Sequence, residues 1–140
     1  MITPYALLIL QKDNKVLLLK RSAQASFGPG KYCLIGGKAE DNESMVQAII
    51  REAHEEVGIT VLPDQLKFAH VFHRKGPTNQ LVATCFVSHD WQGELVNSEP
   101  TKHDEYVWFN INQLPDDMLP AHKQAIKAYA QGNYYSEHGW

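Results

Sequence analysis

Three glutamates near the end of one predicted helix are the residues whose spacing points most clearly to chemistry. Glu52, Glu55 and Glu56 lie in the stretch REAHEEVG, from Arg51 to Gly58. A helix C-terminus carries the negative end of the backbone dipole, so carboxylates destabilise it and cations stabilise it. Like charges four residues apart also repel, by roughly a few tenths of a kcal/mol. The cluster therefore needs a compensating positive charge.

The helix that carries these acids is predicted over residues 43–58. Asn42 is a candidate N-cap, and Gly58 is a natural C-terminal stop. One apolar stripe has the spacing needed to anchor the helix on a sheet, and it consists of Val46, Ile50, Ala53 and Val57. A second stripe begins with apolar residues and continues into the glutamates, in the order Met45, Ala48, Ile49, Glu52, Glu55 and Glu56. The carboxylates thus occupy positions where semi-buried residues are expected.

A metal ion is one candidate for the missing cation, and a solvated acidic patch is the simpler alternative. Oxygen ligands favour a hard ion such as Mg²⁺ or Mn²⁺, whereas zinc favours His or Cys. The zinc-protease pattern H-E-x-x-H fails after His54, because Gly58 stands where the second histidine is needed. A Mg²⁺ ion held by few carboxylates usually completes its shell with water and substrate phosphates. Phosphate chemistry is therefore the first expectation.

The composition predicts a single soluble domain over residues 1–140. Hydrophobic residues make up 44% of the 140, and 13 Lys plus Arg against 16 acids leave no basic excess for nucleic acid. Cys33 and Cys85 form no C-x-x-C pair, so a reducing cytoplasm fits better than a disulfide framework. The run YALLIL is too short to span a bilayer and lacks the features of a signal peptide, so no membrane segment is expected.

Strand-like and helical patterns alternate along the rest of the chain. PYALLILQ and KVLLLKR are apolar runs separated by KDNK, which predicts a hairpin. SAQASFGPGK is predicted as a loop and KGPTN as a turn. Further strands are predicted at YCLI, LKFAHVFHR, LVATCFVS and YVWFNI, and a second helix from Pro120 to about Gly132. This mixture predicts an α/β or α+β fold in which helices cover a sheet.

The stretch GKAEDNESMVQAIIREAHEEVGI, which begins at Gly37, resembles the Nudix box, G-x5-E-x7-R-E-U-x-E-E-x-G-U, where U is bulky or aliphatic. Only Ala53 matches its class position weakly. The downstream segment EPTKHDEYVWF is similar to one in small MutT-like members, and the tail YYSEHGW resembles a tail of some members, without a task assigned to it. The resemblance implies an α/β/α sandwich with a mixed sheet between helices, and hydrolysis of a nucleoside diphosphate linked to a group X.

The resemblance also implies a ligand set for Mg²⁺, for which Mn²⁺ can substitute. Glu52 and Glu56 would ligate the ion, with Glu55 on their flank and the main-chain carbonyl of Gly36 as a further ligand. The metal would neutralise the diphosphate and lower the pKa of a bound water for attack on phosphorus.

Four further box residues have structural roles by resemblance. Arg51 and Glu43 would pair and hold the helix against its loop, so that Arg51 is an internal countercharge. Gly37 opens the box, and Gly58 ends the helix just past the last ligand.

The general base is left open between a helix glutamate and a loop acid. The loop candidates are Glu99, Asp104 and Glu105, each of which is alternatively a plain surface acid. None of the seven histidines shows ligand spacing, and all are interpreted as ordinary.

Four residues are candidates for contacts with the substrate. Arg21 could bind a phosphate in bidentate fashion, or it is a solvated residue at a strand end. Phe72, Phe86 and Trp108 could stack on a base, or they are core residues of strands.

The leading functional hypothesis is a cytoplasmic, metal-dependent nucleoside triphosphate pyrophosphatase that releases a monophosphate and pyrophosphate. An ADP-ribose, ADP-sugar or dinucleotide pyrophosphatase is the alternative, since Pro77 lies roughly where ADP-ribose members carry a proline. A non-catalytic, nucleotide-sensing module is the alternative of another class, although such modules commonly lose box acids. The expected partner is a small-molecule nucleotide, without nucleic acid or membrane, and the chain is expected to be a monomer or a homodimer.

Overall fold

The computed structural model describes residues 1–140 and contains eight strands and two α-helices. The strands are β1 (Ile2–Lys12), β2 (Lys15–Arg21), β3 (Tyr32–Cys33), β4 (Ile35–Lys38), β5 (Lys67–Lys75), β6 (Gln80–Ser88), β7 (His103–Asn110) and β8 (Tyr135–His138). The helices are α1 (Met45–Val57) and α2 (Pro120–Ala130), and Pro63–Gln65 forms a short 3-10 helix. Neither α-helix combines the length and apolar character needed to cross a membrane.

The strands form a mixed sheet. Across its main part the order is β4, β1, β6, β5 and β8, in which the β1–β6 and β5–β8 pairs are parallel and the others antiparallel. The predicted hairpin of β1 and β2 is present, but only two residue pairs join these strands before β2 turns away to pair with β3 and β7. Helices lie on both sides of the sheet, and the predicted fold class is confirmed.

The apolar runs of β1 and β2 are continuous because both faces of these strands are buried. Leu8 and Leu10 of β1 belong to the core that packs under α1, whereas Leu7 and Ile9 belong to a second core that packs under α2. Alternate side chains of a strand point to opposite faces, so one apolar run supplies both cores.

Helix α1 begins two residues later than predicted. Ser44 caps it, because its hydroxyl accepts from the Gln47 backbone N–H while the Gln47 side chain accepts from the Ser44 N–H. Asn42 is therefore not the cap and lies in the preceding turn with a φ of 64°. The predicted stop is confirmed, since Gly58 has a φ of 72° and its N–H bonds to the His54 carbonyl.

The buried face of α1 is rotated relative to the predicted anchor stripe. Val46 and Ile50 are only half-buried, and the residues that are buried are Ala48, Ile49, Ala53, Glu56 and Val57. The buried face thus combines the C-terminal half of the anchor stripe with part of the stripe that continues into the glutamates, namely Ala53 and Val57 of the first and Ala48, Ile49 and Glu56 of the second. This rotation brings Glu56 to the edge of the sheet.

The C-terminal tail forms an element that the sequence patterns did not predict. Residues 135–138 add β8 to the edge of the sheet as a parallel neighbour of β5. Four residues are too few to show an alternation of apolar and polar side chains.

Candidate functional site

A cavity of about 1300 Å³ extends from the C-terminal half of α1 across the sheet to β8. Its acidic end is formed by α1, the glycine pair of β4 and the loop before β7. Its far end is formed by β1, β6, β5, α2 and β8. The two ends differ in chemistry.

At the acidic end, Glu56 is hydrogen-bonded to the first glycine of the pair, Gly36. The Gly36 N–H donates to Glu56 Oε1 at 2.8 Å, and Glu56 Oε2 has no hydrogen-bond donor. Gly36 has a φ of 145°, and a Cβ there would lie 2.2 Å from the Ala6 carbonyl oxygen. A Cβ on Gly37 would lie 2.6 Å from Glu52 Oε1. Glycine at both positions thus lets the strand and the two carboxylates meet.

Burial makes these two carboxylates costly to ionise. Glu56 is only 7% exposed, and desolvation holds its pKa well above the usual value despite the bond from Gly36. Desolvation also raises the pKa of Glu52, although the neighbouring Arg51 opposes the shift. The charge of Glu99 raises both pKa values further, and the charge of Glu52 also raises that of Glu56.

Arg51 is shared among several acids. Its Nε and Nη2 donate to Glu43 in bidentate fashion at 2.7 and 2.9 Å, and its Nη1 donates to Glu52 and Glu55 at 3.0 and 3.2 Å. The bond from Arg51 lowers the pKa of Glu43 to about 2. Arg51 also donates to the Lys38 carbonyl, so it joins the helix to the end of β4. The expected pairing of Arg51 with Glu43 is present.

A second group of residues approaches Glu56 from the other side. Ligand atoms of Glu56, Glu99 and His103 lie within 4.8 Å of one another. His103 Nε2 is 3.7 Å from Glu56 Oε2, and its buried Nδ1 has no hydrogen-bond partner. Burial lowers the pKa of His103, so the ring is neutral at neutral pH and brings no charge to Glu56. Lys102 lies 3.3 Å from Glu99.

These residues fit a divalent metal ion. Arg51 and Lys102 are the two cations that contact the acids, which are Glu43, Glu52, Glu55, Glu56 and Glu99. Negative charge is therefore in excess beside an open cavity. The possible metal ligands are mainly carboxylate oxygens, which suit Mg²⁺ or Mn²⁺. The neutral imidazole of His103 is a nitrogen ligand, which the transition metal Mn²⁺ accepts more readily than Mg²⁺.

The far end of the cavity is aromatic and cationic. Phe72, which is 2% exposed, and His122 line it together with Arg21 and Arg74. His122 Nδ1 accepts from the Leu34 N–H, and burial lowers the pKa of this ring to about 3. Arg21 uses its Nε to bond the Phe27 carbonyl at 2.7 Å.

Four of the residues predicted as general bases or substrate contacts do not line the cavity. Glu105 is bonded by the Tyr32 hydroxyl at 3.0 Å on the outer part of β7, and Asp104 is exposed. Trp108 stacks on Trp91 with ring centroids 6.1 Å apart and packs against the core under α1. Phe86 belongs to the same core. This placement is at odds with the substrate contact expected of Trp108 and the catalytic role expected of Glu105.

Three residues of the cavity were not predicted from the sequence. All seven histidines were interpreted as ordinary, yet His103, His122 and His138 line the cavity. Only His103 had a signal nearby, since it directly follows the segment that carries Glu99. The other two reach the cavity through α2 and β8, and no local pattern indicates which side chains of these elements face it.

Comparison with known proteins identifies similar sequences and structures. A model described as NUDIX domain matches residues 2–129. An ADP-ribose pyrophosphatase of Methanocaldococcus jannaschii is 31% identical over 86% of this chain and 69% of its own, and a CTP pyrophosphohydrolase of Escherichia coli is 31% identical over 86% of both. Relatives named NAD-capped RNA hydrolase NudC are matched over only 41–42% of their length.

A solved structure shows the same architecture. The crystal structure of a MutT NUDIX hydrolase from Burkholderia pseudomallei superimposes with a TM-score of 0.82 at 26% identity, over 91% of this chain and 97% of the other.

Proposed function

The chain belongs to the Nudix family, and on that basis we propose that it is a nucleoside triphosphate pyrophosphatase that releases a nucleoside monophosphate and pyrophosphate. The expectation of a Nudix hydrolase is confirmed by the family match and by the relatives. The triphosphate substrate is supported by the similarity to the Escherichia coli relative named CTP pyrophosphohydrolase. The single domain over residues 1–140 and the cytoplasm belong to the same proposal, and two free buried cysteines suit a reducing compartment.

One observation carries the proposal: desolvated carboxylates with too few countercharges face a cavity that also contains cationic side chains. Glu52 and Glu56 lie one helical turn apart at one end, and Arg21 and Arg74 lie beyond them. A diphosphate bridged to the carboxylates by a cation satisfies both sets of charges.

Mg²⁺ is the proposed ion, with Mn²⁺ as a substitute. Glu52, Glu55, Glu56 and the Gly36 carbonyl would hold it, and neutral His103 lies close enough to Glu56 to add a nitrogen ligand. When bound, the ion would neutralise phosphate charge and acidify a water.

The residues of the chain divide the remaining work. Glu99 is the proposed general base, because it lines the cavity beside Glu56 while Asp104 and Glu105 do not. Arg21 is proposed to bind a phosphate through its terminal nitrogens, since only its Nε is used by Phe27. Phe72 is proposed to form part of the apolar wall beside the base, since it lines the cavity although it is almost fully buried. Arg51 is proposed to hold Glu43 and Glu52 in place through its hydrogen bonds to both.

ADP-ribose is a second candidate substrate. Pro77, in the turn between β5 and β6, lines the cavity, and a relative of similar identity is named ADP-ribose pyrophosphatase. The size of the cavity accommodates a substrate with a group on each side of a diphosphate.

A hydrolysis screen tests the proposal. The purified chain is incubated with ribonucleoside and deoxyribonucleoside triphosphates, ADP-ribose and dinucleotides, with Mg²⁺ or Mn²⁺, and the products are identified by chromatography. We expect a monophosphate and pyrophosphate from at least one triphosphate, and no product in the presence of a chelator. Turnover of ADP-ribose alone would establish the second candidate, and turnover of none would overturn the proposal.

A further inference from the structure

The C-terminal strand β8 lies outside the part of the chain that matches the family, yet it forms a wall of the cavity. The family match ends at residue 129, and His138 and Gly139 both line the cavity. A row of residues on one face of the sheet connects this wall to the acidic end. Paired positions lead from Gly36 to Leu7, then along β1 to Tyr5, and from Tyr5 through Ala83 to Phe72. His138 stands beside Arg74, two residues along β5 from Phe72.

The tail is fixed in this position by specific contacts. A Cβ on Gly139 would lie 2.2 Å from the Lys75 carbonyl oxygen, and Gly139 has a φ of 81°. The Trp140 indole N–H donates to the His73 carbonyl at 3.3 Å, and the Lys75 ammonium lies 5.3 Å from the Trp140 ring centroid. The wall formed by His138 and Gly139 is therefore an ordered part of the cavity.

A chain of hydrogen bonds orients the His138 ring from behind. His70 Nδ1 lies 2.9 Å from the Asn133 carbonyl oxygen, which can only accept, so Nδ1 carries a hydrogen. In a neutral ring Nε2 then accepts from the Ser136 hydroxyl, 2.8 Å away. The Ser136 oxygen in turn accepts from His138 Nε2 at 3.0 Å.

The consequence is a free acceptor on His138. Its Nε2 carries the hydrogen, and desolvation, with help from the neighbouring Arg74, lowers the pKa of the ring. The ring is thus neutral and its Nδ1 accepts hydrogen bonds. His138 Nδ1 makes no hydrogen bond within the chain. The ring also packs edge-on to Phe72, with centroids 5.4 Å apart and the planes at 83°.

We propose that His138 binds the base of the nucleotide, accepting at Nδ1 a hydrogen bond from a ring or amino N–H of that base. The inference rests on the proposed function, because it needs the phosphates at the acidic end and the base at the far end. His138 and Phe72 both line the cavity, so a base that lies beside this pair has a polar acceptor and an apolar wall next to each other. A single well-placed polar atom in an otherwise apolar pocket can select among bases. His138 is a specificity-determining residue in this arrangement, supplied by the part of the chain beyond the family match.

The test measures binding and not turnover. Calorimetry with Mg²⁺ gives the affinity of the wild type, H138A, H138Q and E137Q for the α,β-methylene analogues of ATP, GTP, CTP and UTP, and for inorganic tripolyphosphate, which has no base. Glu137 is the matched control, because it neighbours His138 on β8 but is exposed and bonded to the Tyr135 hydroxyl. Thermal unfolding of each variant shows whether the tail remains folded.

We expect H138A to bind at least one nucleotide about 10-fold more weakly than the wild type, which corresponds to the loss of one hydrogen bond. Tripolyphosphate binding should be unchanged, H138Q should recover part of the loss because its amide oxygen still accepts, and E137Q should match the wild type. The inference would be overturned if H138A lost as much affinity for tripolyphosphate as for nucleotides, or if it bound nucleotides as tightly as the wild type. A wild type that binds no nucleotide would also overturn it. A wild type that binds nucleotides without hydrolysing them would contradict the proposed function alone.

Discussion

Glu43 and Glu56 are acids of the same sequence motif in opposite electrostatic situations. Two nitrogens of Arg51 bond to Glu43, and its pKa is lowered to about 2. Glu56 is buried with one backbone N–H and no cation in contact, and its pKa is raised. One carboxylate is neutralised inside the chain, and the other faces a cavity with its charge uncompensated.

The difference separates the structural acids of the motif from the functional ones. An acid whose countercharge is a side chain stabilises the fold, since the folded state favours its ionised form. An acid that is desolvated without a countercharge destabilises the fold when ionised, and proteins commonly retain such groups at functional sites. The identical residue type in one motif therefore has two tasks.

The largest effect is expected from removing the uncompensated charge. Glu56→Gln keeps an oxygen to accept from the Gly36 N–H but loses the anion. We expect metal-dependent hydrolysis to fall by roughly 10³-fold, equivalent to about 4 kcal/mol of transition-state stabilisation. The melting temperature measured without metal should not decrease, because a desolvated charge is removed.

The exposed Glu94 is a matched control for this substitution, and E94Q should retain wild-type hydrolysis. If the hydrolysis rate of E56Q were within a few-fold of the wild-type rate, Glu56 would not be a functional acid, and the proposed difference between Glu43 and Glu56 would be wrong.

Removal of the internal cation should reduce both stability and activity. Arg51→Met leaves Glu43, Glu52 and Glu55 without their shared donor. We expect the urea midpoint to fall further than in Glu43→Gln, since three acids lose a partner instead of one. Hydrolysis should fall about 10- to 100-fold, as is typical when residues that orient metal ligands are lost. If Arg51→Met and Glu43→Gln had equal urea midpoints, Arg51 would stabilise the fold through Glu43 alone.

The two glycines of β4 are expected to differ in a similar way, one affecting the fold and the other the metal site. An alanine Cβ at Gly36 meets the backbone of Ala6, whereas one at Gly37 meets only the end of the Glu52 side chain. Gly36→Ala should therefore unfold at a clearly lower temperature. Gly37→Ala should retain its stability and lose about 10-fold in metal affinity, because Glu52 is displaced. Calorimetric titration with Mg²⁺ and thermal unfolding distinguish these outcomes, and equal melting temperatures for both variants would contradict them.

The smallest effect is a pH dependence of stability that originates at Glu43. Its pKa is about 2 in the folded chain and near 4.5 when unfolded. The unfolded state therefore binds more protons between these values, and the stabilisation is complete above about pH 4.5 and is lost as the pH falls towards 2.

Urea unfolding of the wild type and Glu43→Gln over this range measures the effect. The two stabilities should differ at pH 7 and converge on acidification. A difference that stays constant down to pH 2 would mean that Arg51 stabilises Glu43 without favouring its charge.

The acidic end could be predicted from the sequence because its parts are nearly contiguous. Glu43, Arg51, Glu52 and Glu56 share one helix and its preceding loop, so helical spacing alone places them together. The end of the helix at Gly58 could be predicted for the same reason, because the signal is local in the sequence. The cap was misplaced because Asn42 and Ser44 are both good cap residues, although the spacing from Ser44 to Gln47 is that of a capping box and the reciprocal bonds between them confirm Ser44.

The far end could not be predicted because its residues meet only through strand pairing. Phe72 and His138 belong to strands 60 residues apart in the chain, and β8 is too short to have a detectable pattern. Trp108 was expected at the substrate, but the face of β7 that it occupies is set by pairing with β2 and packs under α1. Residue type does not reveal which face of a strand lies towards a cavity.

Binding of Mn²⁺ to the wild type and E56Q, followed by the electron paramagnetic resonance signal of free Mn²⁺, is the most direct measurement of the uncompensated charge. It requires no knowledge of the substrate. We expect the wild type to bind the ion and E56Q to bind it at least about 10-fold more weakly, with both proteins folded. Equal affinity in the two proteins would contradict the assignment of Glu56 to the metal.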